Sequence, residues 1–166
     1  LEQHNLPGGF ASSFVRGRFE FETSLHELYD YGPSSDKGGT RRLLEKYKLD
    51  SEFVAVPEAY RLILTDPDES IDVVMPFGID SYLDTMEKEV PGSRESVSKF
   101  FDLAQDINRA TTYIGRSKGN PDQNVLLKEH SNFLKTSAYS VEDVQNALNM
   151  PEKARSILNA YWVYLG

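Results

Sequence analysis

Glu2 stands six and seven positions ahead of a glycine pair, Gly8-Gly9. A carboxylate can accept hydrogen bonds from the two hydroxyls of a ribose. Paired glycines, having no Cβ, let backbone amides approach a pyrophosphate. The two features together read as the edge of a nucleotide site, although Pro-Gly-Gly taken alone is also ordinary turn chemistry. The Gly-x-Gly-x-x-Gly turn that opens such a site does not occur in these residues. His26 is the third candidate, because an imidazole can serve as acid, base or polar wall of a pocket near neutral pH. His4, His26 and His130 are too widely spaced for a helical or hairpin metal pair, and no cysteine joins them, so no metal site is expected. Glu27, Asp30 and Asp36 sit in a loop without calcium-binding spacing and receive no role. Hydrolase and kinase motifs (Gly-x-Ser-x-Gly, a phosphate-binding Lys loop, His-Glu-x-x-His) do not occur, and no residue is assigned as catalytic.

Alternation over 14–22, with Phe19 and Phe21 on one face and Arg18, Glu20 and Glu22 on the other, predicts a half-buried strand. A Gly, Ser and Asp cluster over 32–39 breaks it, and a short helix follows from Thr40 to Lys48. Two β-rich runs, Ala59 to Leu64 and Ile71 to Met75, flank a polar connector and predict a hairpin. From Ile79 the period becomes helical, with Tyr82, Leu83 and Met86 on one face until Pro91-Gly92. Ser93 opens a longer helix with the stripe Val97, Phe100, Phe101, Ala104 and Ile107. A helix is expected from Asp122 to about Leu134, then a capping box at Ser140. A last helix from Pro151 aligns Ala154, Ile157, Leu158, Tyr161 and Trp162. Strands first and helices later make an α+β fold: a small antiparallel sheet with a helical cap.

The 166 residues suffice for one core, and 39% hydrophobic with 27% charged residues is a globular composition. A net charge of -8 argues against nucleic acid as a partner, since that needs clustered Lys and Arg. The absence of cysteine excludes disulfides and thiolate chemistry and is compatible with a cytoplasmic setting. No apolar run reaches bilayer-spanning length.

With these residues in view, the chain resembles FAD-dependent oxidoreductases of the phytoene desaturase, carotenoid isomerase and retinol saturase type. Glu2 through Gly9 is similar to the end of that family's second strand and its glycine doublet. Gly17 to Glu22 is similar to the strand that follows, and Tyr161 to Gly166 to a helix near the middle of the family's sequence. The resemblance implies a central segment, lacking the nucleotide-binding turn at one end and the carboxy-terminal half at the other. It implies that 1–24 form the edge of the FAD-binding domain and 25–166 the substrate-binding domain of a two-domain enzyme. Glu2 would hold the adenosine ribose and Gly8 and Gly9 the pyrophosphate side of FAD. His26 matches a histidine of the retinol-saturase-like branch and would stand in the substrate pocket wall. Phe10 replaces an Arg that many relatives carry, and Ser24 replaces a glycine near the flavin. The implied reaction is flavin hydride transfer or flavin-assisted isomerisation at C–C or C=C bonds of an apolar, isoprenoid or carotenoid-like substrate, with the segment alone inactive. Peripheral membrane contact of the whole protein and a homodimer through exposed apolar surface are further expectations. Two alternatives stay open on the residues: a flavin amine oxidase relative, and a non-catalytic interaction module whose glycines are incidental.

Overall fold

The computed structural model describes residues 3, 7–22, 28, 30–49, 52–65 and 70–160. The chain divides into two compact units, Leu1–Val54 and Ala55–Gly166. This is a break in packing, separate from the functional boundary expected near residue 24.

In the first unit a 3-10 turn, Gly9–Ala11, precedes strands β1 (Phe14–Arg16) and β2 (Phe19–Phe21). These pair antiparallel with Phe14 opposite Phe21 and Arg16 opposite Phe19. The single strand expected over 14–22 is therefore a hairpin. Gly17, at φ 63°, supplies the left-handed residue that a tight turn needs. The expected half-burial is also overturned, because every residue of both strands is exposed. The aromatic face is held by stacking of Phe14 on Phe21 at 5.1 Å, with the Arg16 guanidinium over the Phe14 ring. Helix α1 (Gly39–Lys46) starts where the Asp30 carboxylate accepts the Gly39 amide at 2.7 Å. A Cβ on Gly38 would stand 1.9 Å from the Asp30 carbonyl oxygen, so only glycine fits this approach. Arg41 ties the loop to the helix, donating to the Gly32 carbonyl, the Ser34 hydroxyl and Glu45 while lying over the Tyr31 ring. None of the described residues in this unit is buried.

The second unit carries the expected hairpin, β3 (Glu58–Thr65) and β4 (Ser70–Pro76), in antiparallel register with Leu62 opposite Val73. Strand β4 shows strict alternation: Ile71, Val73 and Met75 are buried, and Asp72 faces out to form a two-pronged ion pair with Arg61 at 2.7 Å. Against that apolar face lies α2 (Ile79–Glu89), burying Tyr82, Leu83 and Met86 as its periodicity requires. Helix α3 (Arg94–Arg116) buries Val97 and Ala110, while Phe100 and Phe101 are partly covered. After it come α4 (Gln123–Glu129), α5 (Ser131–Thr136), α6 (Val141–Ala147) and α7 (Glu152–Leu158). Met150, Ala154 and Ile157 complete the core around Met75, Met86 and Val97. Among the described residues the chain mixes helices with two small two-stranded antiparallel sheets.

Two further expectations change. The helix foreseen over 122–134 breaks at His130, whose backbone (φ -126°, ψ 33°) is not helical. Its ring stacks on Tyr113 at 5.3 Å, and Asn132 just beyond donates to Asp106 of α3. These tertiary contacts outweigh the weak preference for continuing a polar helix. The start of α3 does not rest on the Ser93 side chain either. That hydroxyl is buried and donates to the Met86 carbonyl at 3.3 Å. The cap comes from Glu87, whose carboxylate accepts the amides of Gly92 (2.7 Å) and Arg94 (2.9 Å). By contrast the box at Ser140 forms as expected, with Ser140 and Asp143 each accepting the other's amide.

Glu87 gives a pH test. The Gly92 and then the Arg94 amide hold its carboxyl below the ordinary value of 4.5. A carboxylate depressed in the folded state contributes stability that is present above its unfolded pKa and is lost as pH falls through the folded one. Glu87→Gln is expected to melt at a lower temperature than wild type at pH 7. The gap should close as pH falls below the ordinary carboxylate range, as thermal melts across pH will show.

Candidate functional site

Of the candidates read from the sequence, Glu2 and His26 lie outside the described residues, as do Tyr161 and Trp162. Gly8 and Gly9 are described and both have positive φ, 109° and 54°. The turn closes through the Ala11 amide donating to the Gly8 carbonyl (2.9 Å) and the Ser12 amide to the Gly9 carbonyl (3.3 Å). The Ser12 hydroxyl donates back to the Pro7 carbonyl at 3.3 Å. A Cβ on Gly8 would meet the Ser12 oxygen at 3.1 Å, so both the backbone angle and the space select glycine. Gly8 is exposed and Gly9 half-buried, so the turn presents backbone that carries no Cβ at these two positions.

The second unit contains two apolar concavities that the sequence did not reveal. One, of about 330 Å³, is lined by Ala59 and Tyr60 of β3, Pro76 to Ile79, Tyr82 of α2, Phe101 of α3 and Leu158 of α7. Two phenols form its polar feature. The Tyr60 hydroxyl donates to the Ile157 carbonyl at 2.7 Å and lies 2.8 Å from the Tyr82 hydroxyl. A carbonyl can only accept, so the Tyr60 proton is committed there and Tyr82 must be the donor between the two phenols. Burial, followed by the bond to Tyr60, pushes the Tyr82 phenol far above its usual pKa. It stays neutral at any working pH. The other cavity, about 180 Å³, lies between α3, α5 and α6, with Phe100, Leu103, Ile107, Phe133 and Val144 in its walls.

Periodicity had placed Tyr82 on the buried stripe of α2 and Tyr60 in a strand. Their pairing across 22 residues has no local sequence signal. Among the described residues no three of His, Asp and Glu gather closely enough to hold a metal ion. Nor is any described helix long and apolar enough to cross a membrane.

The phenol pair should show unequal substitution costs. Tyr60→Phe leaves the Ile157 carbonyl without its phenol donor and Tyr82 without an acceptor, and is expected to cost roughly 1–3 kcal/mol. Tyr82→Phe keeps the Tyr60 to Ile157 bond and should cost about 1 kcal/mol. Urea unfolding of the two variants checks the ranking.

Comparison with known proteins adds one relative. Zebrafish (Danio rerio) all-trans-retinol 13,14-reductase is 21% identical over 168 residues, an alignment that takes in 96% of this chain. The chain spans 27% of the reductase's length. No protein-family model matches the chain, and no solved structure does.

Proposed function

We propose that this chain serves in an FAD-dependent oxidoreductase that acts on carbon–carbon bonds of an apolar, isoprenoid-like molecule. The observation that carries the reading is the alignment of 96% of the chain with a reductase of all-trans-retinol. The Gly8-Gly9 turn supports the cofactor, because its two left-handed glycines leave backbone where a pyrophosphate could rest. In this reading Glu2 accepts the ribose hydroxyls, Gly8 and Gly9 border the pyrophosphate, and His26 stands in the wall of the substrate pocket. FAD, when bound, supplies the hydride acceptor or donor, or assists an isomerisation. The protein's own part is to orient the apolar substrate and keep water from it. The apolar walls of the two cavities in the second unit suit that work.

The test is FAD binding by the full natural chain, measured by equilibrium dialysis beside Glu2→Ala and Gly8→Val variants. A ribose contact is a charge-assisted hydrogen bond, so Glu2→Ala should weaken FAD about tenfold or more. Gly8→Val should weaken it further by placing a branched side chain in a left-handed turn. Equal FAD binding by all three proteins would remove this site from the reading.

A further inference from the structure

Around α1 the charge of the chain reverses. The whole chain has a net charge of -8, yet residues 37–48 hold Lys37, Arg41, Arg42, Lys46 and Lys48 against one carboxylate, Glu45. At about 100° per residue, Leu43 and Tyr47 share one side of the helix, Arg42 and Lys46 run along its edge, and Glu45 falls opposite. There the Glu45 carboxylate accepts from Lys37 at 2.8 Å and from Arg41 at 3.1 Å. Among the described residues no carboxylate pairs with Arg42, Lys46 or Lys48. The Arg42 guanidinium donates to the neutral Lys37 carbonyl, and the Lys46 ammonium lies over the Tyr47 ring. The apolar side is open, with Leu43 54% and Tyr47 63% exposed. Past the helix Lys48 takes φ 55°, and the Leu49 amide returns to the Leu44 carbonyl at 3.0 Å, which leaves Leu49 57% exposed.

The β1–β2 hairpin carries the same combination independently. Its register puts Phe14, Arg16, Phe19 and Phe21 on one face and Val15 with Glu20 on the other. The Arg18 guanidinium lies over the Phe19 ring. Exposed cations beside exposed apolar groups select the partner. A polynucleotide would engage the cations but has no apolar layer to receive Leu43 and Leu49. A partner protein would have to supply a groove for a convex face two turns long. A surface of anionic lipid takes that face as it stands. Apolar side chains sink between the headgroups, and Lys and Arg extend along them to the phosphates. Salt screens the acidic remainder of the chain over about 8 Å at physiological ionic strength, so the local excess of cations decides the contact.

We propose that the first unit docks on an anionic lipid surface through α1, with Arg42 and Lys46 at the headgroups and Leu43, Tyr47 and Leu49 among them. The proposal stands on the charge and exposure of these side chains and uses neither the alignment nor the flavin site.

The test is co-sedimentation of the full natural chain with phosphatidylcholine vesicles, alone or with roughly a third phosphatidylserine. Wild type should pellet with the phosphatidylserine vesicles and stay in solution with phosphatidylcholine alone. Arg42→Gln with Lys46→Gln should weaken binding about tenfold or more, since each basic residue near such a surface contributes about fivefold. Leu43→Ser with Tyr47→Ser should weaken it comparably with every charge intact, which a purely ionic contact would not show. The substituted residues are exposed, so thermal melts of both double variants should match wild type. Equal binding to the two vesicles, binding to neither, or binding that survives Leu43→Ser with Tyr47→Ser would overturn the proposal. So would binding of a single-stranded oligonucleotide that only the charge variant loses, or a dimer in light scattering that Leu43→Ser with Tyr47→Ser disperses.

Discussion

The second unit is organised around a single junction, the hydrogen-bonded line from Tyr82 through Tyr60 to the carbonyl of Ile157. It joins α2, β3 and α7, elements separated by 22 and 97 residues in sequence. Apolar burial brings these elements together: Met75 and Met86 meet Val97 and Ile157, all with essentially no solvent exposure. Burial is non-directional, however, and permits sliding. The phenol line supplies direction, and buried phenols left without partners would cost more than they contribute when paired. Phe101, edge-on to Tyr82 at 5.2 Å, fixes the ring from the side of α3. The cavity beside these groups is thus a product of the same contacts that close the core.

A second polar tie supports the far end of that unit. Gln145, 2% exposed, exchanges amide hydrogen bonds with Asn159, holding α6 to the residue that follows α7. Arg155 reaches back to the Met150 carbonyl and to Asn146. The first unit is built differently. Its described residues bury nothing completely, and its order comes from the Asp30 carboxylate, the Arg41 hydrogen bonds and stacked rings. A short hairpin of this kind is marginal by itself in water. Its aromatic face, with Phe19 at 58% exposure, is apolar surface open to solvent.

Local rules read well where the controlling interactions are local. The alternation of Ile71, Val73 and Met75, the stripe of Tyr82, Leu83 and Met86, and the capping box from Ser140 to Asp143 were all legible in the sequence. What escaped it is tertiary or depends on one backbone angle. The Gly17 turn is flanked by arginines rather than the usual Asn or Asp, so a hairpin looked like one strand. Glu87 caps the helix after its own, from the position a surface glutamate would occupy, and so no cap signal attaches to it. His130 interrupts a helix through a contact with Tyr113 that periodicity does not carry. The turn at Gly8 and Gly9 was legible, because a Pro-Gly-Gly run announces positive φ, and both residues adopt it. Glu2 and His26 lie outside the described residues. The Tyr60 to Tyr82 pair had no legible signal, since neither residue type nor spacing relates a strand residue to a helix residue beyond the next turn.

The account turns on whether these residues serve a flavin, and the most direct measurement is the visible absorption spectrum of the full natural chain after purification in the presence of FAD and removal of the excess. The account predicts the two visible bands of an oxidised flavin, bleached on reduction. A folded protein that remains colourless after FAD is supplied would contradict it.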